Sequence, residues 1–385
     1  MKYPIGIQNF EKLRREGYVY VDKTALMYKM VSEGSYYFLS RPRRFGKSLM
    51  VSTLEAFFSG KKELFQGLYV DTVDWEWQQY PILHIDLNVK KYDTKEDLDK
   101  ILNRHLEQWE QLYDSPYADR DLEERFLHVV ELAHKKTGLP VVILVDEYDK
   151  PLLQAIGNGA LQAEYRNTLK AFYGVLKSCD AHIKFAFLTG VTKFGKVSVF
   201  SDLNNLIDIS MLPQYSHICG ISERELHESF DDGVTGLAAV NGMTKDECYE
   251  RLRINYDGYY FNEYTKEGVY NPFSLLNTLN FQVFGSYWFE TGTPTYLVQL
   301  LRNHYYDLEA MAHAELTADV LNSIDSTSNN PIPVIYQSGY LTIKGYDKEF
   351  KTYLLGFPNE EVEEGFVKYL APYYLNNVDK RTAFS

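Results

Sequence analysis

Cysteine is scarce: Cys179, Cys219 and Cys248 are the three in 385 residues, widely spaced. They offer neither a disulfide framework nor the paired spacing of a zinc site, and fit free thiols in a reducing compartment. Positive charge is also short, since 40 Lys and Arg against 53 Asp and Glu leave a net charge of −13. Gripping polynucleotide phosphates or an anionic bilayer needs a cationic surplus, so a surface built for general binding of either is excluded. Only a local basic groove stays open. No uncharged run reaches the roughly 18 residues that a membrane-spanning helix needs. The start, Met1-Lys2-Tyr3-Pro4-Ile5-Gly6, lacks the apolar stretch of a signal peptide, so a cytoplasmic protein is expected. The nine histidines show no metal-site spacing, and no Gly-x-Ser-x-Gly elbow is present.

What is present begins with aromatic residues: 32 Tyr and 22 Phe predict aromatic-rich cores. The length exceeds the roughly 250–300 residues that one hydrophobic core usually supports. Two domains are expected, 1–212 and 213–385. In the first, apolar runs at 36–40, 81–87, 140–147 and 183–190 alternate with helical patterns over 49–58, 94–136 and 160–178. Continuous apolar strands between helices argue an α/β fold with a parallel sheet covered on both faces. Beyond Pro213 the pattern changes to short helices at about 222–232, 244–252 and 272–284. Another follows Pro294 through Leu301, then a hairpin over 338–343 and 353–357 and a last helix at about 359–375. This suggests a helical lid followed by a winged-helix-like α+β module.

The stretch Tyr36 to Ser48 reads as a buried strand, a tight basic loop, and Gly46-Lys47-Ser48 opening an apolar helix. A phosphate-binding loop requires that order. Backbone amides and the helix N-terminus surround the phosphate, Lys47 neutralises it, and Ser48 is placed to ligate Mg²⁺. The loop departs from the usual pattern at two positions. Arg41 stands where the first Gly belongs, and Pro42 removes an amide donor. Arg41, Arg43 and Arg44 either clamp phosphates or face solvent or a nucleic-acid backbone.

Asp146 and Glu147 close the 140–147 strand and supply the second half of such a site. Asp146 suits a Mg²⁺ water shell, and Glu147 suits polarising the attacking water. Thr189, ending the next strand, suits a hydrogen bond to the γ-phosphate or that water, with Lys193 as a further source of charge. Asp149 and Asp86 read as local caps. The segment before the loop is well placed to wall an adenine pocket. All these polar groups fall at carboxyl ends of strands, where open parallel sheets bind ligands.

Several blocks carry a resemblance. Pro4-Ile5-Gly6-Ile7-Gln8-Asn9-Phe10, Tyr20-Val21-Asp22-Lys23-Thr24, Arg41-Pro42-Arg43-Arg44-Phe45-Gly46-Lys47-Ser48 and Val145-Asp146-Glu147-Tyr148-Asp149 resemble the AAA-ATPase-like family. Further matching blocks lie at 189–194, 200–206, 256–261 and 271–274. The family looks like STAND-type or archaeal-ATPase-type P-loop NTPases, and Arg at the first Gly position is its normal state. The resemblance implies ATP and Mg²⁺ as cofactors. It implies nucleotide contacts from Arg43, Arg44, Phe45, Gly46, Lys47, Ser48 and Leu49, with Ser48 and Asp146 at the metal. Glu147, Lys47 and Thr189 are then the catalytic candidates. Members usually carry a C-terminal nuclease-like domain of the PD-(D/E)XK class, whose Asp and (Glu/Asp)-x-Lys pair is absent after residue 375, so nuclease activity is not expected of these residues. Three readings follow: a slow ATP-driven switch, a non-hydrolysing nucleotide binder, and a nucleic-acid-handling protein whose nuclease-like part lies elsewhere.

Overall fold

A computed structural model describes residues 1–89, 91–193, 195–291, 313–322 and 330–368. The expected helix from Pro294 to Leu301 and the end of the last helix lie outside them. Two short N-terminal helices, α1 (Phe10–Arg15) and α2 (Thr24–Glu33), lead into β1 (Tyr36–Ser40), and α3 (Lys47–Phe58) follows the loop. Then come β2 (Ile82–Asp86), α4 (Lys95–Tyr113), α5 (Leu122–Thr137), β3 (Val141–Asp146), α6 (Lys150–Gln154) and α7 (Gly159–Ser178). β4 (Ile183–Gly190), α8 (Lys196–Val199) and the two-residue β5 (Ile207–Asp208) complete this part.

The five strands form one parallel sheet in the order β2-β3-β4-β1-β5. β1 and β3 are buried along their whole length, as their unbroken apolar sequences require, whereas β2 at the edge alternates. One face packs on α4, α5 and α7 through Phe126, Leu169 and Phe172; the other packs on α3 through Leu54, Phe57 and Phe58. Pairing sets Ser40 beside Gly190 and Asp86 beside Asp146, so the carboxyl ends of the strands lie level. Because β4 is inserted between β1 and β3, Thr189 stands between the basic loop and the acidic pair.

The second half contributes α9 (Glu223–Val240), α10 (Lys245–Tyr256), α11 (Pro272–Phe281) and α12 (Tyr287–Glu290). Both α9 and α10 start with a complete capping box, at Ser222/Glu225 and Thr244/Glu247. α9 runs well past its expected end near 232. Gly233 does not stop it, because the Tyr3 hydroxyl fills the space a side chain there would take. Helices α9–α11 share a core that Tyr3, Ile5, Val19 and Val21 join from the N-terminal segment. Beyond them β6 (Glu315–Thr317), α13 (Ala318–Asn322), α14 (Ile332–Gln337), β7 (Thr342–Asp347) and β8 (Thr352–Gly356) build a small sheet in the order β6-β8-β7. The expected hairpin is present as antiparallel β7 and β8, and the backbone is helical again over 360–368. Trp288, Tyr340 and Ile343 pack into the same core as Leu39 and Phe45, so the far end of the chain rests against the strand and loop at 36–48. No described helix is long and apolar enough to cross a membrane.

Candidate nucleotide site

The loop between β1 and α3 is held by its own unusual residues. Arg41 is 2% exposed, and it is not among the residues that line the cleft in front of α3. It donates to the carbonyls of Ser40 (2.9 Å), Ser210 (2.7 Å) and Tyr215 (3.3 Å), and lies 3.8 Å from the centre of the Phe261 ring. The residue replacing the usual first glycine is therefore a brace that ties the loop to the segment after β5. Phe45 also turns inward, packing edge-on against Tyr259 at 4.7 Å, so it can serve a ligand only through its backbone.

Gly46 adopts φ +97, a left-handed conformation that side chains rarely take, and stands at the N-cap of α3. A residue without a side chain leaves the first-turn amides of α3 uncapped, and a β-carbon built there meets nothing within 4 Å. Arg44 holds φ +68, and its guanidinium lies 4.4 Å from the Phe273 ring of α11. Burial, and then the neighbouring Arg43 charge, push that guanidinium below its ordinary pKa. Arg43 lies 5.4 Å from the Trp288 ring, and its Nε and Nη2 are buried without a hydrogen-bond partner. Its own carbonyl accepts from the Trp288 indole N–H at 3.2 Å.

Lys47, 3% exposed, donates to the carbonyls of Arg41 (3.0 Å) and Pro42 (3.2 Å), and its Nζ lies 3.3 Å from Glu147 Oε1. Glu147 is itself in a left-handed conformation, φ +57. Burial raises its carboxyl pKa, opposed by Lys47 and reinforced by Asp146. Asp146 is 5% exposed and accepts the Thr189 hydroxyl at 2.6 Å. Thr189 in this arrangement positions Asp146.

These groups surround one cleft of about 710 Å³ at the carboxyl edge of the sheet. The loop supplies Arg43, Arg44, Gly46, Lys47, Ser48 and Leu49 to its middle, with Glu147 facing them. One end is walled by Pro4–Gln8 and by Pro272, Phe273 and Leu276 of the helical region. The other is polar, with Asn88, Lys91, Asp93, Lys150 and Gln154. The expected wall from the segment upstream of the loop is thus in position, while the contribution of α11 and of Lys150 was not anticipated. Its signal lay in the 271–274 block and in the lysine three residues after Glu147. Asp146 and Thr189 lie behind the cleft wall.

Two expected roles differ from the structure, and a third agrees with it. Asp149 occupies the N-cap position of α6, but its carboxylate does not cap. It accepts instead from the Val191 amide (3.1 Å) and from the Thr192 amide (2.6 Å) and hydroxyl (2.7 Å), tying the turn after β3 to the turn after β4. Burial and the Glu147 charge push it up to about 7. Lys193 faces away from the cleft, paired with Asp208 at 2.9 Å and donating to Asn322 at 2.6 Å. Asp86 does act as a local cap, accepting from the Asn88 amide at 2.7 Å.

The donors suit Mg²⁺ held largely by water and phosphate. Ser48 and Asp146 offer hard oxygen ligands, and no group of three or more His, Cys, Asp or Glu residues forms a protein cage among the described residues.

The family model described as predicted AAA-ATPase matches residues 4–200. The chain belongs to this family. A protein of Azotobacter chroococcum mcd 1, described as an uncharacterized protein in the vnfD 5′ region, is 39% identical over 378 residues, covering 97% of this chain and 70% of that protein. Membership in this AAA-ATPase family brings nucleotide binding and ATPase character at the level of the family.

Proposed function

We propose that the chain binds ATP with Mg²⁺ in this cleft and hydrolyses it slowly, acting as a nucleotide-controlled switch. One observation carries the reading. Arg43 and Arg44 stand side by side at the cleft with no ion-pair partner among the described residues, in a chain of net charge −13. Two adjacent uncompensated cations beside an uncapped helix start are matched by a polyphosphate. In this reading Lys47, Ser48, Leu49 and the amides around Gly46 hold the phosphates, and the Arg43 guanidinium adds positive charge at the cleft wall. Ser48 and Asp146 would hold Mg²⁺, which would supply positive charge against the phosphates. Glu147 takes the proton of the attacking water, and Thr189 keeps Asp146 aligned. Residues 1–212 supply this chemistry, and 213–385 supply the lid through α11 and the winged-helix-like module.

A second reading, a binder without turnover, is favoured by the Lys47–Glu147 contact, which neutralises the base with the phosphate lysine. Phosphate release from ATP separates the two. In the first reading the wild type turns over, and Glu147→Gln binds ATP but loses about 10²-fold or more in rate. Wild-type turnover no higher than that of the variant would leave the binder. Lys47→Ala is expected to weaken ATP binding by about 10²-fold, and unchanged binding would remove the site from both readings.

A further inference from the structure

The polar end of the cleft, beyond Glu147, holds a cation with no established task. Lys91 is neutralised by Asp93 at 2.8 Å, and Lys47 lies against Glu147. Lys150 makes no ion pair among the described residues. Its Nζ is steadied by two neutral acceptors of a single residue, the Asn88 carbonyl (2.5 Å) and side-chain Oδ1 (2.7 Å). An ammonium has three donors, so Asn88 leaves one for a ligand. Lys150 begins α6, three residues after Glu147, and both it and Lys47 act electrostatically on the Glu147 carboxylate. Lys47, Glu147 and Lys150 line the same cleft, Lys47 from the loop before α3 and Lys150 from the start of α6. Asn88 belongs to the loop after β2 and Lys150 to the turn after β3, and register pairing of Asp86 with Asp146 holds these two loops side by side.

We infer that Lys150 is a catalytic residue of the ATPase reaction, contacting the outer oxygens of the terminal phosphoryl group with the donor that Asn88 leaves free. The inference rests on the nucleotide reading of the same cleft. In hydrolysis the water oxygen forms a bond to the γ-phosphorus and the bond to the bridging oxygen breaks. ADP keeps that electron pair, and the water proton passes to Glu147. Charge then sits both on the leaving ADP oxygen and on the equatorial oxygens of the phosphoryl group in flight. Lys47 meets the first and Lys150 the second. A fixed cation aimed at charge that develops only in the transition state raises kcat with little effect on substrate affinity. The same chain supplies this charge, so no second subunit has to bring one.

The test measures ADP affinity by calorimetry with Mg²⁺, with and without aluminium fluoride, a planar mimic of the phosphoryl group in flight. Wild-type protein is expected to gain about 10-fold or more in ADP affinity when the mimic is added. Lys150→Gln keeps a hydrogen-bond donor for Asn88 but removes the charge. It should bind ADP within about 2-fold of wild type, lose that gain, and lose about 10²-fold in kcat with KM little changed. Lys150→Arg should keep most of the gain. Lys150→Met repeats the comparison without an amide, and normal ADP affinity certifies the fold of each variant. A gain retained in Lys150→Gln and Lys150→Met, or absent from the wild type, overturns the assignment while leaving nucleotide binding intact. If the wild type binds no ADP, the nucleotide reading fails and this inference falls with it.

Discussion

Arg41 and Arg43 are two residues apart in one loop and have opposite fates. Arg41 is enclosed, spends its guanidinium on the carbonyls of Ser40, Ser210 and Tyr215, and stacks on Phe261. Arg43 lines the cleft beside the Trp288 ring, and two of its nitrogens are buried without a hydrogen-bond partner. The difference is one of acceptors. Arg41 has both terminal nitrogens on backbone oxygens and only Nε without a partner, which ties it into the structure, whereas Arg43 has no hydrogen bond to a carbonyl among the described residues and borders the cleft. The loop lacks its usual first glycine, and the Arg41 that stands there serves as an anchor.

The contrast breaks most sharply at Arg41. Arg41→Ala leaves the Ser210 and Tyr215 carbonyls without this donor inside the protein and is expected to cost about 3 kcal/mol or more of stability. Arg41→Lys, which cannot reproduce the planar fork, should cost less but still measurably. Denaturant titration checks both, and a stability equal to wild type would refute the brace. Arg43→Ala should reverse the pattern. It is expected to weaken ATP binding by about 10-fold, the worth of one charge-assisted hydrogen bond, with little change in the denaturant midpoint. A large loss of stability with unchanged affinity would make Arg43 a second brace. Arg44 sharpens the comparison with the smallest effect. Arg44→Gly relieves a left-handed backbone at φ +68 but gives up the Phe273 stack. The two terms, each on the order of 1 kcal/mol, should nearly cancel in thermal stability while affinity for ATP falls a few-fold.

The parallel sheet was legible because β1 and β3 are unbroken apolar runs that end in polar residues, and β4 is one apart from Lys184, the pattern of strands buried on both faces. Lys47, Asp146, Glu147 and Thr189 were legible for the same reason, since their positions follow from the strand ends. β5 was not, because two residues carry no periodicity. The inward turn of Arg41 was hidden among three arginines that look alike in one dimension, and only the carbonyls supplied by residues 210 and 215 distinguish it. Asp149 has the sequence of a helix cap, yet its acceptors were claimed by a turn more than forty residues away. Phe273 and Lys150 needed the tertiary closure of the cleft before their positions had meaning.

Trp288 donates its indole N–H to the carbonyl of Arg43, 245 residues earlier in the chain. The family match covers 4–200, but the phosphate loop is completed by a side chain well outside that span. The boundary of the recognisable ATPase segment is therefore not the boundary of the structure that supports this loop. For this loop a deletion in the C-terminal half amounts to a mutation within its own wall, because the buried Trp288 indole is hydrogen-bonded to its backbone.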